Sequence, residues 1–325
     1  MKRYLAVVWM MASGLAFAEA VVEKEPPATP VRSAASLPPV RAGDALNAGL
    51  LALKQNDFAA LQEALSDDKD LAEIAAEWDE RAARSKQRRA ETLEQDPTAR
   101  DMAEQANDTM QETWNKLLSD QGVDALVAEW QPALTETASK RVMEFNLGFG
   151  ALLTGIAGDR KLSADQVQQL TRLMYAVQDW TGRVDFADEV RLRQAVMSIA
   201  QLARGTGLKR IDDVESLRFE EAAIHGDELI RTVKRVLAAY DVDADAILDS
   251  VRIEEHDAVG DRAVLRVQGR VFGVDLLHEQ PMRYFEDHWM DADRAADRER
   301  WAVEADEADE QAAAATAVAA PEIER

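Results

Sequence analysis

Cysteine is absent from the 325-residue chain. That absence excludes disulfides, thiol nucleophiles, Cys-ligated zinc and a lipid-modified cysteine. Histidine is scarce, with four residues, so a histidine-built metal centre has few places to form. Prolines number nine, and Pro26, Pro27, Pro30, Pro38 and Pro39 crowd near the start. The rest of the chain is therefore free to run in long helices. Positive charge is also in deficit: 38 Lys and Arg face 61 Asp and Glu, a formal net charge of −23. Such a chain repels nucleic-acid phosphates and anionic lipid at long range, so nucleic acid is not an expected partner. After the first residues, the longest notable uncharged run is Phe145 to Gly158, 14 residues. A helix of that length cannot cross a hydrocarbon layer of ~30 Å. No integral membrane segment is expected in the mature chain.

What is present begins with MKRYLAVVWMMASGLAFAEA. Lys2 and Arg3 supply a positive start, and Tyr4 to Phe17 form an uncharged, mostly apolar stretch. Ala16 and Ala18 frame an A-x-A cleavage site. Together these read as a secretory signal peptide over residues 1–18, and imply a periplasmic or secreted protein. Residues 19–43 carry the five clustered prolines and are expected to form a flexible linker.

Residues 44–245 have the period of helices. Asp44 and Asp57 are placed to cap the first two, with Phe58, Leu61 and Leu65 on one face. Gly49 and Ala52 followed by Phe58 make this stretch similar to one tetratricopeptide hairpin. No 34-residue echo follows, and one repeat cannot bury its own face. A further helix spans roughly 70–93, ending in the basic cluster Arg81, Arg84, Lys86, Arg88 and Arg89, which reads as a solvated face. Pro132 is expected to separate the VDALVAEW helix from the next. Gly148, Gly150 and Gly155 match neither nucleotide-loop pattern; Gly148, Ala151, Gly155 and Gly158 instead recur at i, i+3, i+7 and i+10 as a stripe of small residues on one face. Asp159 alone cannot make a calcium loop. Ser163 and Gln166 form a capping box for a helix through Trp180. Asp185 to Arg204 places Phe186, Val190, Val196, Ile199 and Leu202 on one expected face, and Gly205 and Gly207 end it. Asp212 or Asp213 caps another helix that breaks near Gly226. The last helix runs through Leu229, Val233, Val236 and Tyr240.

The period then changes from 3.6 to 2. Residues 246–290 are expected to form a small antiparallel β-meander packed on the last helices. In it Ala263, Leu265 and Val267 share one face, and Arg266, Gln268 and Arg270 the other. Pro281 argues for an edge position or a bulge in the third strand. Residues 291–325 form an acidic, alanine-rich tail, expected as a frayed helix and a disordered end. The fold class is α+β, predominantly α-helical.

Candidate chemistry is thin. His256, His278 and His288 each lie within two residues of an acid and are the weak metal candidates. As one unbroken strand, His278 and His288 would lie roughly 33 Å apart. His256 would sit two strand spacings, about 9.6 Å, from the third strand, so bridging them requires unusual geometry. No catalytic residue and no cofactor can be named. The reading leans away from an enzyme. It favours a non-enzymatic envelope protein that binds a protein or peptide partner through helical surfaces. The alternative is a hydrolase or metal-binding protein that uses the C-terminal histidines and acids.

Overall fold

The computed structural model describes residues 41–65, 71–72, 74–80, 83–84, 97–136, 163–214, 217–285, 288–293, 295–296 and 298–300. The signal peptide with Ala16 and Ala18, nearly all of the proline-rich linker, the glycine stripe and the chain after residue 300 lie outside these residues. The fold is α+β and predominantly helical. Helices come first: α1 (Ala42–Gln55), α2 (Phe58–Leu65), α3 (Pro97–Leu118), α4 (Gly122–Glu136), α5 (Ala164–Arg183) and α6 (Glu189–Gly205). Two short helices follow, α7 (Ile211–Val214) and α8 (Phe219–Ala223), then α9 (Gly226–Ala239) and α10 (Ala244–Ser250). The sheet is β1 (Arg252–Val259), β2 (Arg262–Val271), β3 (Val274–Phe285) and β4 (His288–Asp291), in the spatial order β1-β2-β3-β4.

The described residues divide into two compact units. The first holds Leu46–Arg252 and Gln268–His278. Its core is the meeting of α3, α4 and α6. Leu192, Val196, Ala200 and Ala203 recur at i, i+4, i+8 and i+11 along α6, and pack with Trp114, Leu117, Val123, Leu126 and Val127. Full burial of each Leu or Val contributes about 1.5–3 kcal/mol. The expected stripe was off by part of a turn, because Val190 is 63% exposed. The i+4 spacing of Leu192, Val196 and Ala200 sets the buried face. The turn between α3 and α4 is tied down by one side chain. Arg204 donates from Nε to Leu117 O (3.0 Å), from Nη2 to Ser119 O (2.6 Å) and from Nη1 to Asp120 Oδ1 (2.8 Å). These bonds satisfy carbonyls that the end of α3 leaves without helical partners.

Several local expectations meet the structure directly. Asp57 Oδ1 accepts from Ala60 N–H (2.9 Å), and so caps α2. Both halves of the Ser163–Gln166 capping box form, at 2.8 and 3.2 Å. Asp44 is not a cap, since α1 already begins at Ala42. Pro132 does not end a helix either; α4 runs through it to Glu136. Proline removes only its own N–H, and a packed helix can absorb that loss as a bend.

The α1–α2 hairpin docks on α9. Asp227 Oδ1 accepts from Phe58 N–H (2.8 Å), and Gly226 lies flat on the Phe58 ring, where a Cβ would fall 2.2 Å from Cγ. Helix α9 also packs along α6 and against α10. Four aromatic rings close this unit. Trp180 lies 5.5 Å from Phe186 and 5.3 Å from Phe272, and donates from Nε1 to Tyr240 O (2.8 Å). Phe272 and Gly273 form the β2–β3 turn, both at positive φ (50° and 78°). This is the pattern of a two-residue hairpin turn, with phenylalanine where Asn or Gly is favoured.

The second unit holds Ile253–Val267 and the described residues of 41–45 and from Glu279 onward. Ala42, Ala263, Leu265, Trp289, Met290 and Ala295 are buried there. A fourth strand was not foreseen. β4 pairs antiparallel with β3, with Phe285 opposite His288 and Met282 opposite Asp291. Pro281 thus sits just outside the paired stretch, at a local edge of β3 where its missing N–H costs nothing. The described residues from 292 to 300 are helical. Arg298 is 7% exposed, and Arg283 donates two bonds of 2.8 Å to the Glu299 carboxylate.

Candidate functional site

The sheet decides where the histidines go. His278 is exposed on β3, and His225 stands half-buried at the N-cap of α9. The stretch from His278 to His288 is not one strand: the chain reverses after Phe285 and returns as β4. The straight separation of roughly 33 Å therefore does not apply.

His256 is the candidate for which the structure adds most. It is on β1, followed by Asp257 at φ 54°. Its Nδ1 lies 2.9 Å from Asp257 Oδ2, and its Nε2 lies 3.8 Å from Glu279 Oε1. Glu279 is on β3, and Arg266 of β2 stands between, with Nη2 3.4 Å from the same Glu279 oxygen. Bridging from the first strand to the third is thus achieved. Side-chain reach supplies it: imidazole on one side and a long carboxylate on the other cross the middle strand. The positive φ of Asp257 turns a second carboxylate onto the ring. What this arrangement can do is exchange protons and ion pairs. A guanidinium beside the pair opposes a further cation. Among the described residues, no group of three or more His, Asp and Glu side chains could hold a metal ion.

On the other side of β1, Glu255 has a different task. Its side chain is 8% exposed. Oε2 accepts from Gly43 N–H (3.0 Å) and Oε1 pairs with Arg41 Nε (3.2 Å). A sheet carboxylate thereby caps the N-terminus of α1, where free amides and the helix dipole favour negative charge. Sequence reasoning missed this because the two ends lie 212 residues apart.

An acidic run follows α9. Asp241, Asp243, Asp245 and Asp249 alternate like a cation loop, yet each serves a separate partner. Asp241 pairs with Arg191 (2.8 Å), Asp245 with Lys234 (2.7 Å) and Asp249 with Lys54 (3.1 Å). Asp243 caps α10 by accepting from Ala246 N–H (2.9 Å). Nearby, burial raises the Tyr240 phenol above its ordinary range, against a smaller lowering by Arg191.

Among the described residues, no helix is long and apolar enough to cross a membrane. No protein-family model, curated protein or solved structure matches the chain.

Proposed function

We propose that the protein is an exported, non-enzymatic envelope protein, periplasmic or secreted, that binds a protein or peptide partner through its helices. The observation that carries this reading is the outer face of α6. Its inner face is core, but Val190 and Met197 point to water, 63% and 46% exposed. They stand at i and i+7, so they share one face of the helix. The exposed Gln194 and Gln201 flank them. Burying the two large apolar groups is favourable and the flanking amides can bond to a partner's polar groups, which suits a protein contact more than it suits open solvent. The N-terminal segment supports export.

Capture from an envelope extract tests the reading. The mature protein and a Val190→Glu/Met197→Glu variant serve as baits, with circular dichroism confirming that both are folded. A partner retained by the first and lost by the second is the expected result. Identical sets of captured proteins would remove α6 from the proposal. Sequencing the N-terminus of the exported form is expected to show Glu19, and a cytoplasmic protein still beginning at Met1 would end the localisation claim.

A further inference from the structure

We propose that His256 is a proton-operated clasp: protonated, it ties the edge strand β1 to β3 through Glu279, and neutral, it releases that tie. Asp257 Oδ2, 2.9 Å from Nδ1, can only accept, so Nδ1 carries the hydrogen. In the neutral ring Nε2 is then an acceptor. It is buried, it has no hydrogen-bond partner, and the atom it approaches is another acceptor, Glu279 Oε1 at 3.8 Å. A proton on Nε2 converts two opposed lone pairs into a charge-assisted pair. The ring keeps access to protons, with its side chain 32% exposed.

The surrounding charges set the balance. Asp257 on β1 and Glu279 on β3 favour the imidazolium. Strand alternation puts Glu254 on the same side of β1, adding to them. On β2, Arg266 opposes it and competes for the same Glu279 oxygen at 3.4 Å. Arg262 shares the Arg266 side of β2 by the same alternation and acts in the same sense. The clasp therefore works by sharing one carboxylate between a fixed cation on the middle strand and a conditional one on the edge strand. Its location gives it consequence. β1 ends the strand order, and an edge strand is the one free to pair with another chain when it loosens.

Hydrogen exchange of the β1 amides, measured relative to those of β3 and corrected for intrinsic rates, reads the clasp. In the full chain, β1 protection is expected to be about three-fold greater at pH 5.5 than at pH 7.5, the size that a partly exposed ion pair can supply. His256→Gln and Glu279→Gln are each expected to abolish that difference. Arg266→Gln frees the carboxylate and is expected to enlarge it. This third variant keeps the test decisive if either of the others folds poorly. Equal relative protection at the two pH values in the full chain would overturn the proposal. So would a pH difference that survives in His256→Gln, or one that Arg266→Gln leaves unchanged or reduces.

Discussion

Gly122 shows how a single missing methyl can decide a turn. It opens α4 three residues after Ser119, and a Cβ there would fall 1.9 Å from Lys116 O and 2.5 Å from Ser119 Oγ. Neither neighbour can yield easily, because Arg204 holds the adjacent carbonyls. Gly122→Ala is expected to cost about 3 kcal/mol, as overpacking against backbone does, and chemical denaturation will measure it. A loss under about 0.5 kcal/mol would mean that the turn can widen. A second residue has a pH signature. The Arg270 guanidinium, 2.7 Å from Asp275 Oδ1, holds that carboxyl below its ordinary range through the hydrogen bond they share. A carboxylate lowered in the folded state stabilises the fold above the ordinary range, and the contribution is lost as pH falls through the folded value. Both groups are exposed, so the effect on stability is small, but the titration is direct. In Arg270→Gln the Asp275 carboxyl resonance is expected to titrate at higher pH than in the unaltered chain. At this scale the sequence disclosed what is local. Ser163 and Gln166 are three residues apart, and their mutual bonds follow from helix geometry. His256, Arg266 and Glu279 come from three strands, and strand spacing alone argued against their meeting.

Elements repeat the lesson with longer levers. Helices α2, α5 and α9 were legible because their apolar residues keep a 3.6-residue period, with side-chain caps opening α2 and α5. Helix α10 was not: seven residues are too few to show a period. Strand β4 has only four residues and hides behind the turn that makes it. The cap on α1 lay beyond any local pattern. Glu255→Ala is expected to remove both the acceptor for Gly43 N–H and the partner of Arg41, and to cost about 1–2 kcal/mol. Thermal unfolding, with loss of exchange protection at the Gly43 amide, is the measurement. An unchanged melting curve would show that water replaces the carboxylate without penalty.

For the whole molecule, the composition foretold the class. Abundant charge, few prolines outside the linker and a late change of period were enough for a helical α+β chain. They could not place the boundary of the acidic tail. The expected break at residue 291 falls just before a packed segment in which Ala295 is fully buried and Glu299 holds Arg283. Two truncations separate the packed part from the rest. A chain ending at Trp301 is expected to melt within a few degrees of the full chain. A chain ending at Asp291 leaves Arg283, whose side chain is only 16% exposed, without its bidentate partner and with only the 3.4 Å contact to Asp261, and is expected to melt below both. Equal midpoints for the two truncations would show that the 292–300 segment contributes nothing.

The turn at Phe272 carries a further consequence, one of timing. A phenylalanine at positive φ is held in a conformation its side chain resists. Its ring lies against Trp180, whose other neighbours, Phe186 and the Tyr240 carbonyl, come earlier in the chain. A ribosome adding roughly 5–20 residues per second releases Trp180 several seconds before Phe272. Tyr240 follows partway through that interval and brings the hydrogen bond within reach, but until Phe272 arrives one side of the indole ring has no cover. The hairpin tip is thus the last wall of an aromatic box whose other sides are already made. Its arrival, more than any helix-forming step, marks the moment when the Trp180 surroundings become native.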